Sequence, residues 1–365
     1  MPVKALVSQR PRTGKRASVR LIDVATLAHV SQGTASNVFN KPEQVSEETR
    51  TRVFLAAEEL GYKGPDPVGR LLRAGKTNTI GVLISNPLSH FFTDPIARSF
   101  MNGIASICDQ RGIGITLVTA QDETKAAQTI RSALVDGFVV HCLEDDAHLV
   151  ALAQNRNLPL AVVDAQVVTG VSHITVDDEN GARLAMEHAL SLGHRRIGIL
   201  ALNLKGDGAR GVPSPQRLED ISFAVSRKRM RGYKIALERM GLSLEPELIF
   251  ECGNNRQIGA NGAAHLLSLK NPPTAIITMS DLIALGVLDH ARMQKIEVPD
   301  QLSVIGYDDM PDAALSDPPL TTINQPSVEK GRLAAIAVLD GETSEQSKVL
   351  PVELIIREST APPAN

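Results

Sequence analysis

The residues that could carry chemistry in this sequence are scattered and do not gather into a reaction centre. Cys108, Cys142 and Cys252 are odd in number and far apart. With no C-x-x-C and no His/Cys grouping of zinc spacing, neither a disulfide framework nor a metal site is expected. There is no G-x-S-x-G elbow, no G-x-x-x-x-G-K-[ST] loop and no H-E-x-x-H helix. Gly112-x-Gly114 precedes a predicted strand, the wrong context for cradling a pyrophosphate. The expectation is a protein that is not an enzyme and carries no cofactor. Aromatics make up 3% of the 365 residues and tryptophan is absent, which disfavours a ligand stacked on both faces.

Charge is divided unevenly along the chain. Residues 1–75 hold 12 Lys and Arg against 7 Asp and Glu, a net of +5; the remainder holds 26 against 34, a net of −8. A basic head on an acidic body points to a nucleic-acid-binding module joined to something else. Residues 1–18 carry five basic residues and no acid, and read as a disordered arm. Residues 19–63 read as three short helices. Leu21, Val24, Ala25, Leu27 and Ala28 mark the first, which His29-Val30-Ser31 interrupts. Ser31 is a good N-cap for a helix over 32–40 that buries Ala35 and Val38 and exposes Gln32, Gly33, Ser36 and Asn37. Ser46 is expected to cap a third helix, with Val53, Leu55, Ala56, Ala57 and Leu60 on its apolar side and Gly61 at its end. Two short helices, a tight turn and a third helix across them make the helix-turn-helix plan, whose second helix enters the major groove.

Gly64, Pro65 and Pro67 then mark a boundary, and 64–78 reads as a hinge linker with room for a short helix at 68–73. From Thr79 the text alternates. Strands are predicted at 80–84, 113–119, 138–141, 160–163, 174–176, 197–200, 248–251, 275–278 and 302–306, and helices at 177–192, 229–240, 257–269 and 281–295. Alternation of this kind implies parallel sheets with helices on both faces. The length is too great for one sheet, so an α/β core of two lobes is expected over 79–360. We assign 79–175 and 309–336 to the N-lobe, and 176–308 and 337–360 to the C-lobe. Ligands sit beyond the carboxyl ends of such strands, here a cleft shared by the lobes. The charged stretch 202–226 is long for a connection and is expected to form a lid there. No apolar run approaches the roughly 20 residues of a membrane helix, and reduced thiols fit a cytoplasmic protein.

The run VRLIDVATLAHVSQGTASNVFNKPEQVSEETRTRVFLAAEELGY closely resembles the headpiece of the LacI/GalR family of bacterial transcription repressors. The shared pieces are the DVA of helix one, the VS of the turn, the T-x-S-x-V-x-N of helix two, Val45-Ser46 with Thr49-Arg50, and Leu60-Gly61-Tyr62. The resemblance implies base reading by Gln32, Gly33, Asn37 and Gln44, of which Gly33 offers no side chain, and phosphate contacts from Thr34, Ser36 and Asn40. Two positions depart from the pattern: Arg20 stands where a capping Thr or Ser is usual, and His29 where the turn glycine is usual. The match to the family's hinge helix falls on 68–73 and implies that Leu72 wedges into a central minor-groove step while Arg70 and Arg73 meet phosphate.

The body resembles the same family's periplasmic-protein-like, sugar-binding core, through L-G-H-R-R-I-G at 192–198, R-x-x-G-Y at 229–233, S-D-x-x-A-L-G at 280–286, V-I-G-Y-D-D at 304–309 and P-P-L-T-T-I-x-Q-P at 318–326. Together the two resemblances span about 19–360. They imply effector contacts from Arg229, Asp308 and Asp164, a shorter contact from Ser280, and a facing wall of Phe91, Phe92, Asp94 and Tyr307. The implied function is a repressor that binds a near-palindromic double-stranded operator as a homodimer under control of a small polar effector, such as a sugar or nucleoside. No heptads follow the last strand, so no tetramer is expected. The rival readings are a small-molecule binding protein or an enzyme with a vestigial headpiece.

Overall fold

The computed structural model describes residues 19–64, 75–84, 86–120, 122–141, 147–165, 168–342 and 347–364. The chain divides between Thr77 and Asn78 into two compact units. The basic arm and residues 68–73, with Arg70, Leu72 and Arg73, lie outside the described residues.

The first unit contains α1 (Leu21–Leu27), α2 (Gln32–Asn40) and α3 (Glu47–Leu60). Its core is Val24, Ala25, Ala28, Ala35, Val38, Val53, Ala56 and Ala57. Five of the eight are alanines, so the helices approach closely. His29 takes the left-handed conformation (φ 53°) that the usual glycine would supply. Ser31 Oγ accepts from the Thr34 backbone N–H at 3.0 Å, as a cap should. At Arg20 no hydroxyl is available, and the Asp23 carboxylate accepts from the Arg20 N–H at 2.8 Å, one half of a reciprocal cap. Two expectations need correction. Ser46 Oγ donates to Thr49 Oγ1 at 2.9 Å and receives no backbone N–H, because the neighbouring hydroxyl competes for it. Leu55 is 61% exposed. The buried stripe of α3 runs through Val53, Ala56 and Ala57, positions three and four apart, which turns Leu55 outward.

The second unit holds two parallel sheets. One has the order β11 (Lys348–Leu350), β5 (Ser172–Val176), β4 (Leu160–Val163), β3 (Gly137–His141), β1 (Thr79–Ile84), β2 (Gly114–Thr119). Its strands alternate between two cores. Val82, Val139 and Ala161 pack with Phe100 and Ile104 of α5 (Pro95–Arg111) and Ala334 of α14 (Ser327–Asp340). Leu83, Phe138 and Val162 pack on the other face with Ile130 of α6 (Glu123–Ser132) and Leu149 of α7 (Ala147–Gln154). The other sheet is β7 (Ile249–Glu251), β6 (Ile197–Ala201), β8 (Ala275–Thr278), β9 (Ser303–Ile305). Its faces are covered by α8 (Asp178–Ser191) with α10 (Ala224–Arg239), and by α11 (Arg256–Leu267) with α12 (Asp281–Gln294). Gly232 lets α8 and α10 meet: a Cβ there would lie 2.2 Å from the Glu179 carbonyl oxygen. That accounts physically for the glycine in R-x-x-G-Y, while Tyr233 fills the core beneath it.

Lobe membership differs from the expected partition. The chain remains in the C-lobe through α13 (Pro311–Leu315) and β10 (Thr322–Asn324), because Ala313 packs in the C-lobe core and Thr321 and Asn324 bridge in parallel to Ile305 and Asp308. It then enters the N-lobe as α14, whose Ala334, Ala335, Ala337 and Val338 belong to the N-lobe core, and adds β11 beside β5. It returns to the C-lobe at β12 (Glu353–Ile355), antiparallel to β10. The second and third crossings therefore fall near 325 and 351, not near 308 and 336. Strands of three residues carry no hydrophobic period by which a sequence could reveal them. Residues 357–361 also belong to the C-lobe: Ser359 O accepts from Val304 N, and Ala361 O from His194 Nε2.

Candidate functional site

In the headpiece, α2 offers one polar edge. Gln32, Gly33 and Asn37 are exposed, as is Gln44 in the turn before α3. The residues expected at phosphate are more occupied. Thr34 Oγ1 shares a hydrogen bond with Ser31 Oγ at 2.9 Å, and Asn40 Nδ2 donates to Ser36 O and Ser36 Oγ at 3.0 and 3.1 Å. Each of the three keeps at least one hydrogen-bonding capacity unspent. Arg52, at the back of the turn, donates from Nε to Ala28 O at 3.0 Å and ties α3 to the end of α1.

In the second unit, a cavity of about 610 Å³ opens where the strands of both sheets end. Its wall includes Asp94, Asp164, Arg229, Ser280 and Asp308, which the sequence placed there. Each follows from its element. Asp164 succeeds β4 in a left-handed conformation (φ 50°) and Asp308 follows β9 with φ 120°, a conformation costly for a non-glycine residue and concentrated at functional sites. Asp94 caps α5 by accepting from the Ile96 and Ala97 N–H groups at 3.0 and 2.9 Å, which leaves Oδ2 to accept from Asn254 Nδ2 of the other lobe at 2.9 Å. Ser280 caps α12 and donates to Asn254 Oδ1 at 2.7 Å.

Arg229, 3% exposed, is held from its own side. Nε donates to Asp178 Oδ1 at 2.8 Å, Nη1 donates to Met279 O and lies 3.9 Å from Asp308 Oδ1, and the guanidinium sits 3.5 Å from the centroid of the Tyr307 ring. Burial pushes the Asp308 carboxyl up to about 7; Arg229 opposes the shift and Asp94 adds to it. Burial works the same way on Asp164, but Lys330 and then His141 outweigh it and hold that carboxyl well below its usual range. Lys330 Nζ donates to Asp164 Oδ2 and to Gln325 Oε1, and Gln325 Nε2 donates to Asp308. One hydrogen-bonded chain thus crosses from lobe to lobe. Among the described residues Asp164 Oδ1 has no hydrogen-bond partner.

Three expected wall residues are elsewhere. Phe92 is 68% exposed on the short helix α4 (His90–Thr93) and does not line the cavity; Phe91 beside it is in the N-lobe core. Tyr307 is fully buried in the C-lobe core beneath Arg229 and supports the guanidinium from behind. An aromatic type alone does not say which way a side chain faces. Residues absent from the sequence reading include Asp178, Asn254, Gln325, Lys330 and the pair His90 and His141. Asp178 had a signal in the helix-initial Asp177-Asp178 and Gln325 in the P-P-L-T-T-I-x-Q-P motif; the others had none. Burial lowers the pKa of His90, Asp94 raises it and His141 lowers it again. The stretch 202–226 lies at the cavity, whose wall includes its Asn203, Gly206, Gly208 and Arg210, and Arg217 anchors it to Glu251. It contains α9 (Pro215–Glu219), and α10 begins at Ala224, five residues ahead of the expected start. Among the described residues no group of His, Cys, Asp and Glu is placed to hold a metal, and no helix is long and apolar enough to cross a membrane.

Comparison with known proteins follows this division. Residues 20–64 match bacterial regulatory proteins of the lacI family, and residues 186–360 match the periplasmic binding protein-like domain. An HTH-type transcriptional regulator of Mycolicibacterium smegmatis is 36% identical over 366 residues, 97% of this chain and 99% of that protein. The lac repressor dimer bound to operator and the anti-inducer ONPF is similar with a TM-score of 0.75 at 28% identity, over 94% of this chain and 99% of that one. The complex of the transcriptional regulator CelR with cellobiose gives 0.68 at 28% identity, over 93% and 99%.

Proposed function

The chain belongs to the lacI family of bacterial regulatory proteins and is a transcriptional regulator, and from this premise we propose that a small polar molecule in the interlobe cavity sets its affinity for operator DNA. The observation that carries the proposal is the cavity itself, with buried Arg229, Asp308, Asp164 and Lys330 in its wall and an unsatisfied Asp164 Oδ1 beside them. A sugar or nucleoside brings hydroxyl donors suited to those carboxylates. The protein acts in the cytoplasm as a homodimer on a near-palindromic site, since two-fold protein symmetry and inverted half-sites go together. Gln32, Asn37 and Gln44 read base edges, with Gly33 admitting the backbone close to the DNA, and Thr34, Ser36 and Asn40 fix register on phosphate. Leu72 kinks the centre of the site from the minor groove, flanked by Arg70 and Arg73. Ligand-dependent movement of one lobe on the other changes how the two hinges meet. A coupling of about 1–3 kcal/mol would change operator affinity roughly 5- to 150-fold.

Selection of bound duplexes from a random DNA pool tests this reading. Wild type should enrich one inverted repeat with a flexible central step, and Leu72→Ala should weaken that enrichment. Salt-sensitive binding with no enriched sequence would reduce the headpiece to a charge clamp and overturn the proposal.

A further inference from the structure

We infer that the ligand of the cavity carries an anionic group, a phosphate or carboxylate, held by Arg210 and the backbone of residues 206–208; this rests on the cavity being the effector site. Among the described residues three Lys and Arg side chains line the cavity: Arg229 and Lys330, which are buried, and Arg210, which is exposed. Arg229 is ion-paired with Asp178 and Lys330 with Asp164. Arg210 donates only to neutral oxygens, Asn203 Oδ1 at 2.8 Å and Ala209 O at 2.6 Å, and forms no ion pair among the described residues. Gly206 and Gly208 are in the same wall, and their N–H groups donate to no protein acceptor among the described residues. Unspent N–H groups beside a guanidinium form an anion-binding concavity. Two oxygens of a phosphate or carboxylate match the guanidinium fork.

The loop is built to hold this arrangement. Arg217 donates to both oxygens of Asp207 at 2.7 Å and to both oxygens of Glu251 at 2.7 and 3.0 Å. Glu251, 1% exposed, also accepts from Leu204 N at 2.8 Å, and its backbone bridges to Gly211. Arg217 is thus held between Asp207 and Glu251, and Arg210 pairs with neither. Room for the guanidinium comes from Gly253 (φ +63°), where a Cβ would lie 2.6 Å from Arg210 Nη2. The carboxylates among the described cavity residues are engaged elsewhere: Asp164 and Asp178 pair with Lys330 and Arg229, Asp94 accepts from Asn254 and two backbone N–H groups, and Asp308, which burial raises to about 7, accepts from Gln325.

The experiment titrates full-length protein by calorimetry with matched pairs: glucose and glucose 6-phosphate, ribose and ribose 5-phosphate, glucose and gluconate. At least one anionic member should bind about ten- to a hundredfold more tightly than its neutral parent, the range of a charge-assisted hydrogen bond. Arg210→Gln should bring the two members of that pair to the same affinity, and Arg210→Lys, which keeps charge without the fork, should leave an intermediate preference. Melting curves of both variants would verify that they fold. Equal or tighter binding of the neutral parents, a preference that survives Arg210→Gln, or no binding by any anionic member would each overturn the inference. Operator affinity measured with the same compounds separates the two readings. A neutral sugar that shifts it leaves effector control standing and removes the anion; a bound anion that leaves it unmoved does the reverse.

Discussion

The headpiece and the cavity spend their polar groups in opposite ways. Gln32, Asn37 and Gln44 stand exposed in the headpiece, and the hydrogen bonds near them join residues three or four apart. In the cavity Arg229, Asp178, Lys330, Asp164 and Asp94 are buried, and their partners are distant in sequence: Arg229 with Asp178, Lys330 with Asp164, Asp94 with Asn254. A surface that reads a polymer can leave its donors in water until the polymer arrives. A cavity that closes on a small molecule must satisfy nearly every buried group beforehand, because each one left alone costs about 1–3 kcal/mol. Substitutions in the cavity should therefore register as lost stability, and those in the headpiece as lost binding.

The largest expected effect is at Arg229. Arg229→Met leaves Asp178 buried without its cation and should lower the stability of the second unit by about 3–5 kcal/mol in chemical denaturation. A loss below 1 kcal/mol would mean that the guanidinium is not committed to the fold. Next come Gln32→Ala and Asn37→Ala. Each should weaken operator binding by about 1–3 kcal/mol and relax preference at one base pair, with the denaturation midpoint unchanged. Uniform weakening across all sequences would reassign them to phosphate contact. A smaller contrast lies within the headpiece. Ser31→Ala should cost about 1 kcal/mol of local stability by hydrogen exchange in α2, and Ser46→Ala within about 0.5 kcal/mol in α3, since only Ser31 receives a backbone N–H. Equal losses would restore Ser46 as a cap.

The least change is expected in wild type on varying pH through neutrality. Asp308 is raised on folding, so its contribution is present below the ordinary carboxyl range and is lost as pH rises through about 7. His194 is lowered, chiefly by burial, so its contribution is present above the ordinary histidine value of 6.5 and is lost as pH falls below it. The two oppose each other. Asp308→Asn removes one of them, so the melting temperature of the variant minus that of wild type should grow as pH climbs from about 5 to about 8. A constant difference would show that Asp308 does not titrate there.

The same contrast governs what the sequence discloses. The headpiece is legible because its structure is local: Ala25 and Ala35 at the crossing, Ser31 at the cap and Gly61 at the stop lie within short windows. Its one misplaced apolar residue, Leu55, is a one-position error in helical phase. In the body, longer strands are legible by their apolar runs, Asp164 by its place after one of them, and Arg229 and Asp308 through their motifs. Lys330 and Asn254 are not, because an amine on one helix and an amide on a turn acquire meaning only when folding sets them against Asp164 and Asp94. Tyr307 misled because the strand end that exposes Asp308 buries its neighbour.

The three passages of the chain between lobes, near 177, 325 and 351, bear on how such a protein can be re-engineered or recombined. Neither lobe is one continuous stretch of gene, so no single-junction exchange can transplant half of the binding chamber. Residues 78–176 alone would lack α14, which contributes Lys330, and the edge strand β11. A chimera that exchanges the N-lobe must splice at all three passages together. Point replacements in the wall, by contrast, need no splice and leave both lobes intact.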